Sequence, residues 1–368
     1  MIGDVRWGII GTGFAAAQFA AGLSYLSNTR ISAVASRSEE RAAEFARHFS
    51  VAKSYRRYEE LMSDDDVDVV YVASVNPLHR EHCLLALEAG KAVLCEKPFA
   101  LNGAQAREVV ALARQRRIFC MEALRTRFLP AVIELRKLVL EGAIGTPQAL
   151  NASIGHRSAF EPAGRLFNSE LGGGALLDLG VYPLSLAVML FGRPENVKSQ
   201  AIIGASNVDE EWSAILAYSR GRMASVSATL RADMFTNVIV TGSSGLIEMN
   251  APLYWSDRLS IVLAPPVHSE PSSQQSALPR SGLMTRFKAV PRVRASITRA
   301  KFVLEPIRKL KAGLIVRPYS GNGFTAEASE VISCLKQGFV ESKLSPLDDT
   351  IVMMEIMDDI REQWSTKE

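Results

Sequence analysis

Residues 7 to 23, WGIIGTGFAAAQFAAGL, constrain the fold more than any other stretch of the chain. A short apolar run ends at Gly11, Gly13 follows two positions on, and an alanine-rich segment free of proline comes next. This pattern predicts a strand, a tight turn and a helix start in one piece. At a helix N-terminus several backbone N–H groups lack an intrahelical acceptor and the macrodipole is positive, so a diphosphate can be held there without a side-chain cation. Gly11 permits the turn and Gly13 lets the backbone approach a pyrophosphate, while the third position is Ala16, small enough for close helix–strand packing. Gly11, Thr12, Gly13, Phe14 and Ala15 are therefore the first candidate contacts of a dinucleotide. The plainer alternative is an ordinary strand-to-helix turn.

A chain of 368 residues has room for two domains, each with its own core. Apolar residues make up 48% and charged residues 22%, the balance of a globular protein rather than a disordered one. A net charge of +3 is too small to imply a nucleic-acid partner. Cys83, Cys95, Cys120 and Cys334 form no Cys-x-x-Cys pair, so they read as reduced thiols and no metal is expected. The chain enters its first strand pattern without a signal peptide, and no apolar run is read as long enough to span a membrane, so the expected location is cytoplasmic.

A second strand pattern, ISAVASR, stops at Ser36. In a dinucleotide fold the residue just past this strand meets the adenosine ribose, where Asp or Glu would accept from both hydroxyls of NAD. Ser36 and Arg37 stand there instead. A guanidinium binds a 2′-phosphate that a carboxylate would repel, so NADP(H) is favoured over NAD(H), with Arg41 one helical turn on as a possible helper. Ser36 could alternatively cap the helix starting near Glu39 and leave Arg37 to solvent. The run VDVVYVASV empties into Asn76-Pro77-Leu78-His79, at the strand end where open α/β sheets bind ligands. Ser74, Asn76 and His79 are candidates for the cofactor cleft, His79 being equally readable as a structural contact. A further strand delivers Glu96 and Lys97 before Pro98. Lys97 can take or return a hydroxyl proton or hold the charge that activates a neighbouring acid, with Glu96 available to orient it; the bland reading is a surface ion pair. Helices are predicted over 103–117 and 130–141. Beyond about residue 148 short strands follow one another, as in an antiparallel sheet with one buried face. Within that region GGGALLDLGVYPLSLAVML places Asp178 and Tyr182 four apart, on one helical face, with Gly180 between them.

GTGFAA, CEKPF at 95–99 and GGGALLDLGVYP at 172–183, at these separations, resemble the glucose–fructose oxidoreductase and inositol dehydrogenase superfamily, closest to its NADP-dependent dimeric dihydrodiol dehydrogenase and D-xylose dehydrogenase branch. The resemblance implies an α/β fold, with an N-terminal doubly wound Rossmann domain and a C-terminal α+β domain on an open, mostly antiparallel sheet. The expected division is 1–145 for cofactor, 146–346 for substrate and oligomerisation, and 347–368 as a helix returning to the first domain. By the same resemblance Lys97 is the catalytic lysine, Glu96 its companion, Tyr182 the proton donor or acceptor and Asp178 the carboxylate of that helix, with Lys97-Pro98 matching a cis peptide. An ammonium beside a phenol favours phenolate, so the pair would exchange a proton with the substrate oxygen near neutral pH. A homodimer or homotetramer through the C-terminal sheet is expected.

Two departures bear on function. The dihydrodiol branch has Trp where this chain has Arg125, which would replace stacking by a cation suited to a carboxylate, phosphate or densely hydroxylated substrate. Arg125 and Arg165 are the candidate substrate contacts, the alternative for Arg125 being solvent. The second departure is an insertion at 264–318 whose polar start precedes a basic stretch, 283–317, read as an amphipathic helix that lies on a membrane, docks on a partner, or covers the sheet. The leading reading is an NADP(H)-dependent oxidoreductase acting on a secondary alcohol, hemiacetal or carbonyl of a sugar or polyol. A non-catalytic NADP(H)-binding regulatory protein is the runner-up, and redox-assisted elimination or epimerisation a third reading.

Overall fold

The computed structural model describes residues 4–264 and 313–365. Strands β1 (Val5–Ile10), β2 (Thr29–Ala35), β3 (Lys53–Tyr55), β4 (Val69–Val72), β5 (Ala92–Glu96) and β6 (Cys120–Ala123) form one sheet in the order β3-β2-β1-β4-β5-β6. Every neighbouring pair is parallel. Helices α1 (Phe14–Leu23), α2 (Glu39–Phe49), α3 (Tyr58–Met62), α4 (His79–Glu88) and α5 (Gly103–Arg116) connect these strands. Parallel strands need helical crossovers, which cover both faces of the sheet. That is why VVYV of β4 and AVLCE of β5 are buried throughout. The strand order reverses between β1 and β4, and the crevice at their carboxyl ends is where such sheets take ligands.

After α6 (Pro130–Leu140) the second lobe begins with β7 (Pro147–Gly155) and α7 (Val181–Phe191). Strands β8 (Asn196–Ile203), β9 (Asp209–Ala217), β10 (Met223–Thr229), β11 (Val238–Gly242), β12 (Gly245–Met249), β13 (Arg258–Leu263) and β14 (Gly313–Val316) complete an eight-stranded sheet, ordered β14-β13-β12-β11-β7-β10-β9-β8. Only β7 and β10 pair in parallel among these strands. Alternation along β9 puts Trp212, Ala214 and Leu216 inward and Ser213 and Ile215 outward, so one face is core and the other open.

Three expectations need correction. Most of the basic insertion lies outside the described residues, but its last part, Gly313–Val316, is not helix: it pairs antiparallel with β13 as the edge strand β14. The short β-branched-rich run GLIV suits an extended edge better than it suits the end of a helix. Ser169–Phe191 is long and apolar enough to cross a membrane, contrary to the sequence reading; it is almost wholly buried inside the protein, as a core segment would be. Residues 319–346, grouped by sequence with the second lobe, return to the first. There α8 (Gly323–Lys336) lays Phe324, Ala328 and Val331 into the core that holds Trp7, Phe19 and Tyr71. Asn322 donates to the Gln18 carbonyl at 2.9 Å and the Thr325 hydroxyl to that of Gly22 at 3.0 Å.

The last helix, α9 (Leu347–Ser365), touches both lobes. Toward the first, Asp358 accepts from the Gly103 N–H at 2.7 Å and the Thr350 hydroxyl donates to buried Glu122 at 2.9 Å. Toward the second, Gln363 accepts from the Ser199 N–H at 3.0 Å and donates to the Val197 carbonyl at 3.2 Å.

Candidate active site

A cavity of about 620 Å³ lies between the lobes, and every residue named from sequence as a site candidate lines it. At one end is α1. Its first intrahelical bond runs from Ala17 N–H to Gly13 O, and no side chain caps it, so the N–H groups of its first turn have no intrahelical acceptor. Gly11 has φ +99°, and a Cβ there would run into the Ala73 carbonyl, so a side chain is excluded on two counts. A Cβ on Gly13 would meet nothing within 4 Å, leaving open space beside the turn. Thr12, Phe14 and Ala15 complete this end.

Past β2, Ser36, Arg37 and Arg41 line the cavity. Ser38, not Ser36, caps α2, accepting from the Arg41 N–H at 3.3 Å, so the capping alternative for Ser36 does not hold. Tyr58 lies nearby, its ring 4.4 Å from that of His82. Farther in, several candidates also act as struts. Asn76 donates to the Gly172 carbonyl at 3.1 Å, tying the glycine-rich approach of the second lobe to the first. His79 is buried with Nδ1 2.7 Å from the Pro98 oxygen and Nε2 3.1 Å from the Ser74 oxygen. Burial lowers its pKa, favouring a neutral ring whose one N–H is best given to the shorter contact. His79 is thus a structural pin that also borders the cleft. Ser74 meets His82 through its hydroxyl, 2.9 Å from Nδ1.

At the inner end the two lobes meet through charge. The Lys97 ammonium, delivered by β5 and followed by a cis Lys97–Pro98 peptide, donates to the Asp178 carbonyl at 2.6 Å and carboxylate at 3.0 Å. Arg165 reaches the same carboxylate oxygen at 2.7 Å. Burial works against the charged form of each partner, but the opposite charges outweigh it: Asp178 is held well below the usual carboxylate range by Lys97 and Arg165, and Lys97 is raised by Asp178 and then Tyr182. Lys97 is therefore a held ammonium, 5.2 Å from the centre of the Tyr182 ring. Glu96 does not orient that ammonium. It accepts from the backbone N–H of Lys97 at 3.2 Å and from the Tyr71 hydroxyl, and burial raises its pKa.

Asp178 and Tyr182 do not sit on one regular α-helix. Leu176–Gly180 is a π-helical turn leading into α7, so the four-residue spacing does not by itself define their alignment; both instead border the same cation. Gly180 is needed because a Cβ there would come 2.6 Å from the Trp212 ring. The turn is anchored by Asp209, which accepts from the Leu176 N–H at 2.6 Å. Burial pushes the Asp209 carboxyl up to about 7. Because the folded state keeps this proton longer than the unfolded chain, stability from this group is full below about pH 4 and is lost as pH rises toward 7, on the order of 4 kcal/mol. Asp209→Asn is expected to flatten part of that decline in denaturation midpoints between pH 4.5 and 7.5. Parallel wild-type and variant curves would refute the assignment.

Arg125 lines the cavity rather than facing solvent, its guanidinium carbon 4.8 Å from the Trp255 ring and 5.0 Å from that of Phe324. Sequence reasoning missed Tyr58, His156, Tyr254 and Phe324, which also line it. Only His156, directly after a strand, offered a local signal. Among the described residues no group of three or more His, Cys, Asp or Glu could hold a metal ion.

Residues 5–123 match the oxidoreductase family with an NAD-binding Rossmann fold, and residues 132–248 match the GFO/IDH/MocA C-terminal domain. The trans-1,2-dihydrobenzene-1,2-diol dehydrogenase of Xenopus laevis is 35% identical over 362 residues, 97% of each chain. This chain belongs to that oxidoreductase family. The family resemblance read from GTGFAA, CEKPF and GGGALLDLGVYP therefore holds. The Mus musculus dihydrodiol dehydrogenase is 32% identical over 361 residues, 97% of this chain and 96% of its own. Among solved structures, aldose-aldose oxidoreductase from Caulobacter crescentus, complexed with glycerol, superposes with TM-score 0.77 at 22% identity over 98% of this chain and 97% of its own. Levoglucosan dehydrogenase, complexed with NADH and levoglucosan, does so with TM-score 0.76 at 23% identity over the same shares. At that identity the likeness establishes the fold. As a member of this family the protein is a nicotinamide-dependent dehydrogenase or reductase acting on CH–OH groups, its first lobe the NAD(P)-binding half.

Proposed function

We propose that this protein is an NADP(H)-dependent oxidoreductase of a sugar, polyol or related hydroxylated compound, with Lys97, Asp178 and Tyr182 handling the proton. The observation that carries this reading is the Lys97 ammonium, supplied by the first lobe and clamped by Asp178 of the second, beside a phenol in the same cavity as the uncapped α1 turn. The open space at Gly13 and the free N–H groups of α1 fit a dinucleotide diphosphate. Ser36, Arg37 and Arg41 at the end of β2 fit a 2′-phosphate. The nicotinamide, when bound, accepts or donates the hydride. Tyr182 takes the hydroxyl proton as the substrate C–H bond breaks and C=O forms, and returns it in reverse. Lys97 keeps its proton and stabilises the phenolate or developing alkoxide, and Asp178 fixes its direction. The relatives named for a diol, aldoses and levoglucosan support hydroxylated substrates.

The four cysteines, all free and buried, suit a cytoplasmic enzyme. The open face of the eight-stranded sheet, with Ile215 and Met223 about half exposed, suits a homodimer or homotetramer contact. A screen of sugars and polyols for NADP reduction tests the central reading. Absence of turnover despite tight NADPH binding would favour a non-catalytic binder. Arg37→Ala is expected to lower the NADP over NAD ratio of kcat/KM by about 10–100-fold, the value of one charge-assisted contact; an unchanged ratio would remove the 2′-phosphate assignment.

A further inference from the structure

Among the described residues, the inner end of the cavity contains an arginine without a counter-ion. Lys97 and Arg165 are both engaged by Asp178. No hydrogen bond or ion pair to the Arg125 guanidinium is found among the described residues, and its Nε is shut off from solvent without a partner. The group is nevertheless held. Its carbon lies 4.8 Å from the Trp255 ring centre, 5.0 Å from Phe324 and 5.8 Å from Tyr254, and its stem passes within 3.1 Å of where a Cβ on Gly323 would sit. The carboxyls that influence it are Glu96 from β5 and Glu327 from α8, both buried, the latter with neither oxygen hydrogen-bonded. Burial raises the pKa of both, and neither carboxyl makes a hydrogen bond or ion pair to the guanidinium: Glu96 accepts from Tyr71 and the Lys97 N–H, and Glu327 has no partner among the described residues.

A partly desolvated cation with no partner is costly unless a ligand supplies one. A guanidinium fixed in plane by aromatic faces matches the two coplanar oxygens of a carboxylate. We infer that the substrate carries a carboxylate bound by Arg125, as a sugar acid would, with the carbon to be oxidised placed toward Lys97 and Tyr182. The inference deepens the dehydrogenase reading above and rests on it for the identity of the cavity. A carboxylate fits better than a phosphate because, among the described residues, the other lysine and arginine at this end are taken by Asp178, leaving one guanidinium where a dianion calls for more.

The test is calorimetric binding to protein saturated with NADPH, which cannot oxidise an alcohol and so gives binding without turnover. The probes are D-gluconate, D-galactonate and D-xylonate, their matching alditols, and the sugar phosphate D-glucitol 6-phosphate, none of which has a ketone or aldehyde for NADPH to reduce. At least one aldonate is expected to bind tenfold or more tightly than its alditol, with the gap below twofold in Arg125→Met and partly retained in Arg125→Lys. Thermal melts identify either variant that fails to fold. No aldonate preference in the wild type, a preference surviving in Arg125→Met, or tighter binding of the sugar phosphate would each overturn the inference. Neutral polyols oxidised while no aldonate is preferred would sink this inference and leave the dehydrogenase reading standing. Aldonate binding with no NADP reduction by any substrate would do the reverse.

Discussion

Lys97→Met is expected to lower kcat by about 10²–10³-fold, the loss of one electrostatic stabiliser of the developing oxyanion, and Tyr182→Phe by about 10²–10⁴-fold, the range a positioned proton-transfer group contributes. The first variant removes the ammonium but leaves Asp178 paired with Arg165, so its carboxylate is not abandoned in the interior. The second keeps the ring that packs near Lys97 and deletes only the hydroxyl. Because the two groups serve one proton, the double variant should lose little more than either single one. Lys97 is raised by Asp178 and remains protonated throughout the neutral range, so it should contribute no limb to the kcat profile near pH 7. Steady-state rates for the three variants on any accepted polyol decide the matter: turnover within about threefold of wild type in both single variants would reject the proposed chemistry.

The largest loss of stability is expected from Arg127→Met. Arg127 is 3% exposed and donates to the Ser185 hydroxyl at 2.8 Å, the Ser185 carbonyl at 3.1 Å and the Asp349 carboxylate at 2.6 Å. It therefore ties the turn after β6 to α7, one helical turn beyond Tyr182, and to the start of α9. Removing one member of a buried pair leaves the other uncompensated and typically costs about 3–5 kcal/mol. Asp349 keeps some solvent access, which favours the lower figure. Equilibrium unfolding in urea would show it as an earlier midpoint; a loss under about 1 kcal/mol would mean that the network is peripheral.

Local signals carried much of this molecule. A glycine turn between a strand and a helix, a lysine at a strand end before proline, and alternating strands after residue 148 are short-range patterns, and the chain follows them. The surroundings of Arg125 were not legible. Tyr254 and Trp255 come from a turn after β12, and Phe324 from α8, beyond a long insertion; nothing in a local window says that three distant rings will meet one guanidinium. Glu96 was misread because adjacency to Lys97 suggested a side-chain partner, whereas the strand end turns the carboxyl toward Tyr71 and leaves the ammonium to Asp178. The π-helical turn was equally hidden, since the sequence LLDLG is compatible with an ordinary helix and the extra room is set by Trp212 and Asp209 from β9.

The return of α8 and α9 to the first lobe bears on biosynthesis. Phe19 and its neighbours, at the front of the chain, share a core with Phe324, Ala328 and Val331, while buried Glu122 waits for Thr350. A ribosome releases the dinucleotide-type half well before it makes those closing pieces. The nascent half must therefore keep apolar surface covered by other means until nearly the whole polypeptide has emerged.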